Sequence, residues 1–181
     1  MTNDIRMNLF LIGYRGSGKT SVAQALADEI GWSWIDADAE LELRADKSIK
    51  QIFAEDGERP FRDLESAVVA DLAARDRHII ALGGGAILRE ENRQAIQRGG
   101  QVVWLKASPE TLLARINSDP TTTERRPNLT AQGGLEEIRR LLSERTPLYA
   151  ACADLAVDAD RQSPAQIARQ IITQLSLQES A

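Results

Sequence analysis

NLFLIGYRGSGKTS, residues 8–21, runs from a short, mostly apolar stretch straight into three glycines, a lysine and several hydroxyl side chains. Gly13 to Thr20 fit the pattern G-x-x-x-x-G-K-[ST], and the match lies where a strand ends and a helical stretch begins, as a phosphate-binding loop requires. Glycines reach positive φ and carry no side chain, so successive backbone N–H groups can converge on phosphate oxygens. The helix that follows adds its positive N-terminal end. Lys19 supplies a point charge for the β- and γ-phosphates, and the Thr20 hydroxyl is a ligand for Mg²⁺. A plain glycine-rich turn is the bland alternative, and motif and context together argue against it.

Outward from this loop, short apolar runs alternate with amphipathic stretches, the pattern of a parallel α/β sheet. Strands are expected at 8–12, 33–36, 78–82, 101–106 and 153–157. Helical spacing joins Val22, Leu26 and Ile30, then Leu64, Val68 and Leu72, then Leu135, Ile138, Leu141 and Leu142. A last helix opens with Ser163 as N-cap and Pro164 at its first position. Residues 117–132, NSDPTTTERRPNLTAQ, are polar, carry two prolines and have no period. Such a long loop inside a compact domain is usually a lid or a binding loop.

With 181 residues, 43% hydrophobic and 27% charged, the chain reads as a single globular domain, 1–181. Its formal net charge of -5 argues against a general binder of nucleic acid or anionic membrane. Cys152 is the only cysteine, so no internal disulfide forms, which fits a cytoplasmic protein. The opening MTNDIRMN lacks the features of a signal peptide, and no stretch reaches the roughly 18 apolar residues of a membrane span.

Switch GTPases, motor ATPases and small-molecule kinases share the phosphate loop. No N-K-x-D segment is present to read guanine, and HIIAL runs into Gly83-Gly84-Gly85 with no acid at the strand end. A compact kinase with a water-excluding lid fits best. In WIDAD, Asp36 and Asp38 are two apart, so an extended backbone aims both carboxylates to one side. Strand carboxyl ends gather at the ligand face, where one acid suits Mg²⁺ and one an acceptor hydroxyl. Capping of the following helix is the structural alternative. Gly83 to Gly85 invite close approach of a ligand to backbone, or simply a tight turn. Arg62, Arg125, Arg126 and Arg145 are either solvated charges or the guanidinium forks that hold carboxylates and phosphates. His78, at the start of a strand, reads as structural.

GYRGSGKT, the D-x-D at 36–38, DGERPFRDLE, LGGGA at 82–86, RRPNL, RTPLY at 145–149 and DADRQSPAQI together resemble shikimate kinase over nearly the whole chain. The resemblance implies a three-layer α/β/α fold with strand order 2-3-1-4-5, as in nucleoside monophosphate kinases. It implies a phosphate loop at 13–20, substrate-binding helices at about 37–75 and a lid at about 117–132. The reaction implied is transfer of the ATP γ-phosphate to the 3-hydroxyl of shikimate, by a monomer, on the route to aromatic amino acids. By position, Asp38, Arg62, Gly84 and Arg145 would hold shikimate, with both arginines facing its carboxylate. Asp38 would also take up the proton of the attacking hydroxyl. Gly16, Ser17, Gly18, Lys19, Thr20 and Ser21 would wrap the phosphates, Arg126 would reach them from the lid, and Gln162 would lie by the adenine. Thr20 would ligate Mg²⁺ directly and Asp36 through water. Ala81 and Leu82 stand where many such proteins carry a Walker B acid, so the metal rests on these two residues. Pro60 interrupts DGERPFR and marks a helix start there. A sibling kinase for another small acid, such as gluconate, and a non-catalytic ATP binder are the rival readings.

Overall fold

Along residues 8–12 the side chains alternate: Leu9 and Leu11 enter one apolar cluster, Phe10 and Ile12 another, and none is more than 1% exposed. A strand buried on both faces belongs in the middle of a parallel sheet with helices on either side. The computed structural model, which describes residues 7–119 and 134–177, has that architecture. Its strands β1 (Asn8–Ile12), β2 (Ser33–Asp36), β3 (His78–Ala81), β4 (Gly100–Lys106) and β5 (Leu155–Asp158) form one parallel sheet of order β2-β3-β1-β4-β5. Helices α1 (Lys19–Ile30), α2 (Ala37–Ala45), α3 (Ile49–Glu55), α4 (Glu58–Ala73), α5 (Glu90–Gly99), α6 (Pro109–Ser118), α7 (Leu135–Cys152) and α8 (Pro164–Leu175) connect and cover them.

The same period-2 alternation sorts β3 and β4. Ile79, Ala81, Val103 and Leu105 join Val22 and Leu26 of α1 and Ile167 and Ile171 of α8. On the other face Ile80, Val102 and Trp104 meet Val68 and Leu72 of α4, Ile96 of α5 and Tyr149 of α7. The result is the expected three-layer α/β/α fold. A smaller cluster, Tyr14 with Leu112, Ile116, Ile138 and Leu141, seats α6 and α7 beside the phosphate loop.

Local chemistry sets the element ends. Ser163 caps α8 in a full capping box with Gln166, and Pro164 is its first residue. Pro60 sits inside the first turn of α4, which begins two residues earlier at Glu58, after Gly57 at φ 88°. The last strand, expected at 153–157, is found at 155–158. Asp154 explains the offset. Its N–H donates to the Val102 carbonyl at 2.8 Å, while its carboxylate accepts from the Val102 N–H at 2.8 Å. A side-chain oxygen thus stands in for a ladder carbonyl.

Two buried side chains pin loops to this frame. At the amino end of the sheet, Asn8 (2% exposed) donates to the carbonyls of Arg75 at 2.7 Å and Gly99 at 3.1 Å, and accepts from the His78 N–H at 3.1 Å. At the carboxyl end the Tyr149 hydroxyl donates to the Gly84 carbonyl at 2.6 Å, its ring stacked on Trp104 with centroids 5.6 Å apart. Asn8→Ala leaves several buried backbone groups without partners and should destabilise the fold by about 2–4 kcal/mol, read from the shift in urea midpoint. Tyr149→Phe keeps the stack but strips the Gly84 carbonyl of its donor. A loss of about 1–3 kcal/mol is expected, with faster hydrogen exchange confined to residues 83–88 before global unfolding.

Candidate active site

β1 ends at Ile12 and its neighbour β3 at Ala81, so the phosphate loop and the glycine loop leave the sheet side by side. The Leu82 N–H still donates to the Leu11 carbonyl at 3.1 Å. The two loops then touch through backbone. A Cβ on Gly84 would lie 3.2 Å from the Arg15 nitrogen and 3.3 Å from the Gly13 oxygen, so only glycine leaves the approach free. Gly85 makes room for a different group, because a Cβ there would sit 2.6 Å from an Arg62 guanidinium nitrogen. The segment Gly83 to Gly85 makes a tight turn, closed by the Ala86 N–H on the Gly83 carbonyl at 3.0 Å, and Gly83 and Gly84 line a cleft.

That cleft measures about 450 Å³. Of the residues singled out in the sequence it brings together Gly16, Gly18, Lys19, Thr20, Ser21, Asp36, Asp38 and Gly84. Gly18, at φ 92°, is the N-cap of α1 and makes no side-chain cap. The first N–H groups of α1 therefore remain for an anion at the positive end of the helix. Ser17 is buried, with its N–H on the Tyr14 carbonyl at 3.1 Å, and serves the turn from within. The Lys19 ammonium donates to the carbonyls of Gly13 at 2.8 Å and Tyr14 at 2.9 Å, which holds it across the loop.

The two aspartates differ from the expected picture. β2 stops at Asp36, and Asp38 already lies in the first turn of α2. The extended D-x-D geometry is therefore wrong: helix begins without a linker, and the carboxylates reach the cleft from a strand end and from a helix. One oxygen of Asp36 caps α2, accepting from the N–H of Asp38 at 3.0 Å and of Ala39 at 3.1 Å. The other accepts from the Thr20 hydroxyl at 2.9 Å. The capping role thus applies to Asp36, and the same side chain also bonds the phosphate loop at Thr20.

The Thr20–Asp36 pair also tests the site for Mg²⁺. Both donors are hard oxygens, and the hydroxyl, by donating to the carboxylate, keeps its lone pairs for a cation. Among the described residues there is no group of three or more His, Cys, Asp or Glu side chains that could cage a metal. One hydroxyl and one carboxylate fit an ion that keeps its waters and draws other ligands from phosphate oxygens.

Arg62 and Arg145 are not among the residues that line the cleft: Arg62 lies beside Gly85 of the glycine loop and Arg145 over Tyr14 of the phosphate loop. The Arg62 side chain, 12% exposed, pairs with Glu65 at 2.7 Å and, at 3.6 Å, with Glu58. Glu65 is 4% exposed and was missed in the sequence, although its i+3 spacing from Arg62 in a helix was a signal. Arg145 is 8% exposed, and its guanidinium lies 5.5 Å from the centre of the Tyr14 ring. Gln162 donates to the Asp158 carbonyl at 2.8 Å, past the end of β5, and does not line the cleft. Arg125 and Arg126, with most of the lid segment, lie outside the described residues.

Sequence reading also missed Arg115 of α6. It donates to the carbonyls of Gly16 and Ser17, each at 3.4 Å, and of Ala159 at 2.6 Å, and so ties the phosphate loop to the turn after β5. Arg15 lines the cleft beside it. The cleft thus has cations (Arg15, Lys19, Arg115) around the phosphate loop, two acids (Asp36, Asp38) on the β2 side and a third, Asp119, at the end of α6.

Comparison with known proteins agrees with this arrangement. The shikimate kinase family model matches residues 15–176. A shikimate kinase of Rhodopirellula baltica is 44% identical over 165 residues, 91% of this chain and 88% of its own length. One of Symbiobacterium thermophilum is 42% identical over 169 residues, 93% of this chain and 96% of its own. Among solved structures, shikimate kinase from Acinetobacter baumannii in complex with shikimate superposes with a TM-score of 0.88 at 32% identity, covering 94% of this chain and 93% of that one. The family model covers most of the chain and the relatives match it over nearly their whole length, so the chain belongs to the shikimate kinase family.

Proposed function

We propose that the protein transfers the γ-phosphoryl group of ATP to the 3-hydroxyl of shikimate, giving shikimate 3-phosphate and ADP on the route to aromatic amino acids. One observation carries this reading: Asp38 and Gly84 line the same cleft as Lys19 and Thr20, so donor and acceptor groups face a common space. The N–H groups at the start of α1 and the Lys19 ammonium hold the phosphates and offset their charge. Thr20 directly, and Asp36 through water, would hold Mg²⁺, which would supply further neutralisation of the phosphate charge. Arg62 and Arg145 take the substrate carboxylate by guanidinium forks, and the Gly84 backbone admits the ring at close range. Asp38 holds the ring hydroxyls and accepts the proton of the attacking one. From the lid, Arg126 reaches the transferring phosphoryl group. Gln162, whose amide is held on the Asp158 carbonyl, lies towards the adenine. Catalysis is then chiefly positioning and charge stabilisation. The protein works as a monomer in the cytosol; its single cysteine, Cys152, which is buried, supports the cytosolic part of that reading.

A coupled assay of ADP release tests the proposal against its rivals. Shikimate should stimulate release at least about a hundredfold over ATP alone, and gluconate should not. Release that responds to gluconate instead, or to neither, would replace this reading with a sibling kinase or an ATP binder. Arg145→Ala should raise KM for shikimate about 10- to 100-fold, the loss of a charge-assisted pair. KM for ATP should stay within about twofold. An equal loss for both substrates would remove Arg145 from the carboxylate site.

A further inference from the structure

Arg62 and Arg145 are held by different chemistry. Arg62 lies between two carboxylates, Glu65 and Glu58. Arg145 is more deeply buried, yet no carboxylate of the described residues pairs with it; its recorded partner is the ring of Tyr14. Tyr14 occupies a free position of the phosphate-loop pattern, between Gly13 and Gly16, where the pattern specifies nothing. It is only 3% exposed and is wedged between Leu112 and Ile116 of α6 and Ile138 and Leu141 of α7. Its ring therefore has one orientation. Burial also raises the pKa of its hydroxyl, against the pull of Arg15 and Arg145, so the ring stays neutral.

We infer that Tyr14 is a specificity-determining positioning residue: its ring face holds Arg145 in place for the carboxylate of the acceptor without neutralising it. A guanidinium held over a ring face by cation–π attraction gives up no N–H donor to a carboxylate of the protein, so its donors remain for a bidentate carboxylate. A buried glutamate in that place would spend those donors and compete with the substrate. Because Tyr14 belongs to the phosphate loop, the segment that carries the donor phosphates also sets where the acceptor's anionic end is gripped. The inference rests on the proposed role of Arg145, and acts through it.

The test compares Tyr14→Phe, Tyr14→Leu and the near-isosteric 3,4,5-trifluorophenylalanine at position 14, each with and without Arg145→Ala. Tyr14→Phe should keep KM for shikimate within about twofold, because the ring remains. Tyr14→Leu and the fluorinated ring, whose face is electron-poor, should each raise it about 3- to 10-fold, as loss of a cation–π contact predicts. KM for ATP and thermal midpoint should stay near those of Tyr14→Phe. In the Arg145→Ala background the same changes should add nothing. An unchanged KM for shikimate in the fluorinated protein, a matching rise in KM for ATP, or a full effect that persists without Arg145 would each overturn the inference. The fluorinated ring keeps shape and volume, so this result stands even if Tyr14→Leu does not fold. Should Arg145→Ala alone leave KM for shikimate untouched, the carboxylate assignment fails instead, and the two failures are told apart.

Discussion

Two glycine-bearing loops meeting backbone to backbone form the constraint on which the site depends. β1 and β3 run parallel with Leu11 opposite Ala81, so Gly13 and Gly83 emerge side by side at the carboxyl end of the sheet. A single methyl group on Gly84 would crowd the Arg15 nitrogen and the Gly13 carbonyl. Given that contact, the remaining parts have little freedom. The Gly84 carbonyl is held from below by Tyr149, the adjacent Gly85 leaves space for the Arg62 guanidinium, and the first turn of α1 faces across to Asp36 and Asp38. Sheet register is thereby converted into the spacing between a phosphate donor and its acceptor.

Helix α7 braces this arrangement from the other side of the chain. In one stretch of five residues it supplies Arg145, which stacks on the phosphate loop, and Tyr149, which hydrogen-bonds the glycine loop. Pro147 lies between them inside the helix and removes one backbone donor. The RTPLY segment is therefore a single structural strut with one end at each loop. Arg115 plays a similar part for the turn after β5, since its guanidinium spans the carbonyls of both segments.

Local patterns made most of the fold legible. The short apolar runs NLFLI and HIIA, the phosphate-loop spacing and the Ser163-Pro164 start are short-range signals, and the structure repeats them within a residue or two. The strand order came with the family likeness, because no local feature of the chain says which strands are neighbours. The aspartates show where local reading fails. Two acids separated by one residue suit a strand, but here the strand ends on the first and the helix starts on the next residue, a junction that alternation cannot detect. Arg115 and Tyr14 were invisible for another reason: their partners are distant in sequence, at Ala159 and Arg145, and only the packing of α6 and α7 brings them together. Glu65 was within reach, three residues beyond Arg62 on a helix, but an ion pair at that spacing is usually solvent-exposed and this one is buried.

Asp36 carries a consequence for how the two halves of the cleft can be dissected. Its carboxylate divides its oxygens between the amides that begin α2 and the hydroxyl of Thr20. An asparagine keeps one acceptor oxygen for the amides that begin α2 and turns the other position into an NH2 donor, from which the Thr20 hydroxyl can accept, so both contacts survive while the charge is lost and the second bond reverses. Alanine abandons both at once. Asparagine, by contrast, changes the nucleotide side while leaving the start of the helix that carries Asp38 capped. Kinetic defects of an alanine at position 36 will therefore be composite, whereas the asparagine separates the charge beside Thr20 from the helix that carries Asp38.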